Sequence, residues 1–253
     1  MAQSVFVKYY DKLLCDVDYE QMCKFICEAK DKYAADALCV SDVSCGTGSL
    51  AVLLAKRGFD VHASDISEDM LSFAAQKAFE SGEKIIFSHQ NMRDLILPKQ
   101  TDIIISTLDS ANSLVSSGDL QRFFVSANKN LVSGGLFIFD MNSVLKFENV
   151  YADNTYTLED EKGETFLSWS NFYNKKTRIC DFYLTYFCRT KDGKYERYDE
   201  TLRERAYSKR YVCACLEKCG FELIKVFGGY DGAECSECDE RWVFLAKKAE
   251  RKA

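Results

Sequence analysis

The segment Val40-Ser41-Asp42-Val43-Ser44-Cys45-Gly46-Thr47-Gly48 decides how the chain folds. An apolar, β-branched run ends in a short glycine turn, and residues 50–57 then read as a helix. A strand that ends in glycines lets backbone approach a ligand with no Cβ in the way. The helix that follows aims free N–H groups at whatever sits in the turn. This arrangement suits a nucleotide-like ligand, although plain strand-to-helix connections also use Gly-x-Gly turns. The spacing departs from the dinucleotide fingerprint, whose third glycine would fall at Ala51.

The next strand adds weight. Residues 59–63 lead into Ser64-Asp65-Ile66-Ser67, which places Asp65 17 residues after Gly48, at the carboxyl end of a second parallel strand. A carboxylate there can accept both hydroxyls of a ribose. The other role open to Asp65 is a helix N-cap. Ser67 fills that role better, with Met70 and Leu71 following on a helix.

Working outward, further strands are expected at 38–43, 84–88, 102–106 and 135–141, and helices at 68–80 and 118–130. Short apolar strands alternating with helices indicate a parallel sheet covered on both faces. Residues 5–14 and 19–34 read as two helices ahead of it, from apolar residues at three- and four-residue spacing. After 142 the rhythm changes. Aromatic and polar residues alternate over 156–158, 164–173, 178–189 and 194–206, with turn signals at Lys162-Gly163 and Asp192-Gly193. A helix over 208–218 ending at Gly220, then strands 221–227 and 241–247, close the chain. The expected organisation is a helical lid at 1–34, a Rossmann-like core at 35–149 and 207–253, and a β-rich insertion at 150–206. The insertion would cover one side of the crevice at the strand ends.

Composition narrows the options. The chain has 253 residues, 47% of them hydrophobic, which is enough for a substantial core. The net charge of −6 disfavours a surface built for a nucleic-acid backbone. No apolar run is long enough to span a membrane and no signal peptide is visible, so a cytoplasmic protein is expected. The 12 cysteines then read as free thiols, several of them buried. Cys235-x-x-Cys238 has zinc-knuckle spacing but lacks a second pair, and Cys213 and Cys215 point to different helix faces, so no metal site is expected.

Five ordered segments resemble those of class I S-adenosylmethionine-dependent methyltransferases. Asp42-Val43-Ser44-Cys45-Gly46-Thr47-Gly48 is similar to the family's first motif, usually Asp-Leu-Gly-Cys-Gly-Thr-Gly. Asp65-Ile66-Ser67-x-x-Met70-Leu71 resembles the second and Gln90-Asn91-Met92-Arg93-Asp94-Leu95 the third. Leu108-Asp109-Ser110-x-Asn112 and Gly134 to Asp140 resemble the segments at the fourth and fifth strands. The resemblance implies an α/β, seven-stranded, mostly parallel sheet with its last strand antiparallel, and an inserted antiparallel β subdomain.

The resemblance also implies S-adenosylmethionine as cofactor and S-adenosylhomocysteine as product. Gly46 and Gly48 would pass close to the methionine part, with Asp42 and Ser44 in the same turn. Asp65 would hold the ribose hydroxyls. Ile66 would pack on the adenine, with Met70 on the helix behind it, and Asn91 and the Met92 backbone would meet the adenine edge. Leu108 and Asp109 would lie under the sulfonium. Tyr10 resembles a lid tyrosine of small-molecule members. Two residues depart from the pattern: Ser44 replaces a glycine, and Asn91 replaces an aspartate and so offers an acceptor without charge.

Methyl transfer from a sulfonium is an in-line displacement that asks the protein for position and, where needed, a proton acceptor. Tyr10, Asp109 and Asn112 are the candidate catalytic residues, and Tyr19, Asp140, Asn142, Trp169, Arg205 and Tyr207 the candidate acceptor pocket. Core packing is the competing role for Trp169 and the tyrosines, and loop capping for Asp140 and Asn142. Similar proteins carry a histidine just before the Arg205-Ala206-Tyr207 stretch, where this chain has Arg203 and Glu204, so the base is open.

The expected activity is methylation of a small-molecule oxygen or nitrogen by a monomer or homodimer. An RNA-modifying enzyme would need a basic track, for which Lys175-Lys176-x-Arg178 and Lys209-Arg210 are modest candidates. A non-catalytic protein that keeps the fold is the other alternative. The amino-directed Asn-Pro-Pro-Tyr motif is absent, which disfavours DNA adenine methylation.

Overall fold

A computed structural model describes Val7, Tyr10, Asp11 and residues 16–160 and 163–250. The expected helix over 5–14 falls largely outside the described residues, as does Lys162 of the expected turn.

The glycine turn joins β1 (Cys39–Val43) to α2 (Ser49–Lys56), behind a first helix α1 (Tyr19–Tyr33). The alternation continues through β2 (Asp60–Asp65), α3 (Glu68–Ser81), β3 (Ile86–His89), β4 (Thr101–Ser106), α4 (Asp119–Asn130) and β5 (Leu131–Asn142). After an antiparallel excursion, α5 (Lys209–Lys218), β10 (Phe221–Phe227) and β11 (Arg241–Lys248) complete a seven-stranded sheet of order β10-β11-β5-β4-β1-β2-β3. Strands β1 to β5 pair in parallel, and β11 runs antiparallel to both β5 and β10. The strand order reverses between β1 and β4, and a crevice opens there at the carboxyl ends.

Strand alternation builds two apolar layers, because successive side chains face opposite sides. Ile103, Ile105, Leu136 and Ile138 pack with Phe25 and Ile26 of α1 and Leu50 and Leu54 of α2. Ile104, Phe137, Phe139 and Phe244 pack on the other face with Phe123 and Phe124 of α4 and Leu216 of α5. The Phe139 ring stacks on Phe244 at 4.9 Å and on Phe137 at 4.7 Å.

The excursion is a separate antiparallel sheet: β6 (Thr155–Glu159), β7 (Thr165–Asn174), β8 (Ile179–Arg189) and β9 (Tyr195–Arg205), in that order. Cys180, Phe182, Leu184, Tyr186 and Cys188 alternate along its buried face. A π-helical turn, Lys146–Tyr151, was not expected from the sequence. It fills the junction between the sheets by packing Phe147 and Tyr151 on Tyr173 and Phe182. The third strand starts two residues later than expected, at Ile86, and the fifth starts earlier, at Leu131.

Replacing Phe139 by Ala removes a fully buried ring with three aromatic neighbours. The variant should lose about 3–5 kcal/mol of stability, read as a fall in the urea midpoint with little change in m-value.

Candidate active site

The glycine turn carries three left-handed residues, Ser44 (φ 63), Gly46 (φ 54) and Gly48 (φ 76). Ser44 stands where the family has glycine, yet keeps the glycine conformation, at a cost of about 1–2 kcal/mol. A Cβ on Gly48 would lie 2.9 Å from the Ala74 Cβ, so this glycine sets how closely α3 approaches the turn. Asp65 clamps the turn from β2: Oδ2 accepts from Gly46 N at 2.9 Å and Oδ1 from Ser67 N at 2.9 Å. Ser67 is the N-cap of α3, accepting from Met70 N at 3.2 Å. Asp65 is thus free of the capping role.

Asp42 lies beneath the turn, buried, with Oδ1 unpartnered. Burial and then the Asp65 charge raise its pKa from 3.8 to about 7.

Tyr10 lies over the turn, its ring 3.5 Å from where a Gly46 Cβ would be. Burial, followed by Tyr19, Asp109 and Asp65, raises its hydroxyl pKa. The adjoining Asp11 is tied down, since Thr47 Oγ1 donates to it and Lys77 Nζ donates to Asp11 Oδ2 at 2.8 Å and Ser49 Oγ at 2.7 Å.

Across the crevice, Leu108 (φ 54) and Asp109 (φ 53) form two successive left-handed residues after β4. Asp140, wholly buried on β5, makes that turn possible. Its Oδ2 accepts from Leu108 N at 2.8 Å and from the Tyr230 hydroxyl at 2.6 Å, and its Oδ1 accepts from Asp109 N at 2.7 Å and from Arg241 Nη1. Arg241 Nη2 donates to Asp109 Oδ1 at 2.6 Å. The two carboxylates hold the Arg241 pKa well above its ordinary value, although burial alone would lower it. Burial raises the Glu204 pKa, and Asp109, within hydrogen-bonding reach, raises it further.

Two cavities flank this axis. One, of about 220 Å³, is lined by Ser44, Ile66, Asn91, Met92 and the 113–116 segment. Ile66 leaves 63% of its surface exposed there. The other, of about 470 Å³, is lined by Asp18 and Gln21 beside α1, by Leu108 and Arg241, and by Tyr230, Asp231 and Asp239 of the β10–β11 loop.

The structure therefore brings Tyr10, Tyr19, Asp42, Asp65, Asp109 and Asp140 around one crevice. Other candidates lie in its walls. Asn112 is fully buried, accepting from Asn142 N at 2.9 Å and donating to Arg205 O at 2.9 Å, so it ties β4, β5 and β9 together. The Arg205 guanidinium donates to Val115 O and Thr177 O. Tyr207 donates to Leu114 O and packs in the aromatic core, and Trp169 packs between the two clusters of the second sheet. The Asn142 Oδ1 accepts a hydrogen bond from Lys146 Nζ at 3.1 Å. The Asn91 side-chain oxygen already accepts from Arg93 N at 3.0 Å and Arg93 Nε at 3.1 Å. Tyr230 and Arg241 were missed, because nothing local marks a loop tyrosine or a strand-initial arginine as partners of Asp140.

Among the described residues no group of three or more His, Cys, Asp or Glu side chains is arranged to hold a metal, and no helix is long and apolar enough to cross a membrane.

A family model described as a methyltransferase domain matches residues 40–135. A candidate methyltransferase of Geobacillus sp. (strain WCH70) is 34% identical over 249 residues, 98% of this chain and all of that protein. The candidate methyltransferase YqeM of Bacillus subtilis (strain 168) is 32% identical over 98% of each chain. The crystal structure of an S-adenosylmethionine-dependent methyltransferase from Clostridium acetobutylicum ATCC 824 superposes with a TM-score of 0.88 at 31% identity, covering 96% of this chain and 98% of that one. The fold is that of a methyl-transferring enzyme. This chain belongs to the class I S-adenosylmethionine-dependent methyltransferases.

Asp42 gives a pH test. Its folded-state pKa lies above the unfolded value, so the unfolded chain releases this proton first as pH rises. Stability should fall between 3.8 and about 7, relative to Asp42→Asn, by up to about 1.4 kcal/mol per pH unit. Urea titrations of both proteins across that range measure the difference. Parallel curves would exclude a raised Asp42.

Proposed function

We propose that the enzyme methylates an oxygen or nitrogen of a small molecule, with the cofactor lying along the carboxyl ends of β1, β2 and β4. The observation that carries the small-molecule reading is the cavity of about 470 Å³ between α1, Leu108 and Arg241. That volume suits one small ligand. Asp18, Asp231 and Asp239 in its lining would repel a phosphate backbone. The alternative basic candidates are dispersed. Lys175, Lys176 and Arg178 lie in the β7–β8 turn, and Lys209 is engaged with Cys235 and Glu237.

The residues present fit S-adenosylmethionine. Asp65 uses one bond per oxygen on the backbone, and the remaining lone pairs can take ribose hydroxyls. The exposed face of Ile66 offers an apolar platform beside the smaller cavity, and Met92 N and the Asn91 NH₂ group can meet the adenine edge. Ser44, Gly46 and Gly48 shape the turn for the methionine part, Asp42 sits beneath it, and Met70 packs on the α3 side.

The cofactor supplies a methyl group activated on a sulfonium. The chain's task is alignment of the nucleophile, exclusion of water and removal of a proton. Tyr10 over the turn excludes water, Leu108 and Asp109 form the floor, and the acceptor approaches from the larger cavity. In this reading residues 1–34 act as a lid on the core of 35–149 and 207–253, and 150–206 cover the acceptor side.

Calorimetric titration tests the cofactor site. The wild type should bind S-adenosylmethionine and S-adenosylhomocysteine, and Asp65→Ala should weaken both about tenfold or more, a loss of about 1.4 kcal/mol or more. A folded wild type that binds neither would sink the proposal.

A further inference from the structure

Three carboxyl groups, Asp109, Asp140 and Glu204, converge on the tip of β4, and Arg241 is the one cation in ion-pair contact with them among the described residues. Arg241 is shared: one amino group donates to Asp140 and the other to Asp109 at 2.6 Å. Asp140 has four donors and is satisfied. Glu204 is different. It enters from the end of β9 in the second sheet, and its Oε2 is buried without a hydrogen-bond partner, while Asn142 within hydrogen-bonding reach of the carboxyl group and the Arg241 charge favour its ionised form.

The groups around Glu204 come from every packed element. Asp109 follows β4, Asn142 ends β5, Arg241 begins β11, and Lys146 and Tyr151 belong to the π-helical turn. Cys180 faces it from β8, and Glu240 adjoins Lys146. Lys146 Nζ donates to the Asn142 oxygen rather than to a carboxylate. An ionised Glu204 would leave a buried oxygen without a donor beside the Asp109 carboxylate, an expensive arrangement. A proton on one of the pair removes both faults, because a carboxylic acid can donate to the neighbouring carboxylate.

We propose that Asp109 and Glu204 hold one proton between them, that it leaves when the sulfonium docks at the β4 tip, and that it is regained from the acceptor as the methyl group moves. The proposal rests on the cofactor placement given above. The sulfonium cation favours the doubly ionised pair and neutral S-adenosylhomocysteine does not. During transfer the nucleophile's lone pair forms the new bond to the methyl carbon. The methyl–sulfur bond breaks, and its electron pair stays on sulfur. The O–H or N–H proton of the acceptor passes to the carboxylate pair, so one positive charge is lost at sulfur and one negative charge at the pair. The acceptor class that fits is a protic hydroxyl or amine. Asp109, which follows Leu108 and pairs with Arg241 at the wall of the larger cavity, takes the acceptor's proton, and Glu204 acts through it as a positioning and proton-sharing residue.

The test needs no acceptor. S-adenosylmethionine and S-adenosylhomocysteine are each titrated calorimetrically into wild type and Glu204→Gln. Phosphate and Tris buffers at one neutral pH yield the protons released. The amide of Glu204→Gln can donate to Asp109 as the acid did, but cannot ionise. Wild type should release more protons with the sulfonium than with the thioether, by a large fraction of one proton beyond the same difference in Glu204→Gln. Equal differences in the two proteins would overturn the proposal while leaving the cofactor site standing. Absence of binding to folded wild type would instead overturn the cofactor reading, and this proposal with it. A measurement independent of that variant is the infrared carboxylic-acid C=O band of Asp42→Asn, which lacks the raised carboxyl beneath the glycine turn. It should weaken on adding S-adenosylmethionine and persist with S-adenosylhomocysteine, and a band indifferent to both would count against a shared proton.

Discussion

The buried carboxylate of Asp140 is the constraint on which the crevice depends. Its four donors come from three places: Leu108 and Asp109 after β4, Tyr230 in the β10–β11 loop, and Arg241 at the start of β11. Two successive left-handed non-glycine residues cost on the order of 1–3 kcal/mol each. Charge-assisted bonds from both of their N–H groups to one carboxylate offset that strain. Arg241 completes the arrangement by joining Asp140 to Asp109. The neutralised ion pair lets Asp140 remain wholly buried and fixes the Asp109 side chain on Arg241.

The facing side of the crevice is built by a matching device. Asp65 holds the glycine turn by Gly46 N, as Asp140 holds the β4 tip by Leu108 N and Asp109 N. A carboxylate at the end of one strand thus shapes the loop after its neighbour at both sides of the strand-order reversal. The apolar layers beneath are stiff, with Ile103, Ile104 and Ile105 fully buried on alternating faces, so these tips sit on a fixed base. The second sheet joins this base through Asn112, whose amide links β5 to the end of β9 and so delivers Glu204 to the site.

Much of this was legible in the chain. The alternation of short apolar strands and helices gave the parallel sheet, and the aromatic-polar alternation after residue 142 gave the second one, because strand and helix periods are local properties. The glycine turn and Asp65 could be read for the same reason. Ser44 adopts the positive φ of the glycine it replaces, which its residue type disfavours. The π-helical turn was not legible, since its extra residue per turn is imposed by packing Phe147 and Tyr151 under the second sheet. Asn112 illustrates the converse: a polar residue beside the β4 motif invites a chemical role, whereas its amide is consumed by backbone groups of two other strands.

The sequence by itself determined the α/β class, the alternation of strands and helices and the identity of the turn that shapes one half of the crevice, because those follow from periodicity and from residues close together in the chain. Only the tertiary structure decided the geometry of the other half. Asp109, Asp140, Glu204 and Arg241 are spread from position 109 to position 241, and no local pattern couples them. They meet because β11 inserts beside β5 and β9 ends beside the β4 tip. Once they are gathered out of water, their charges interact strongly at low dielectric, which is a property of the assembled site rather than of any residue in it.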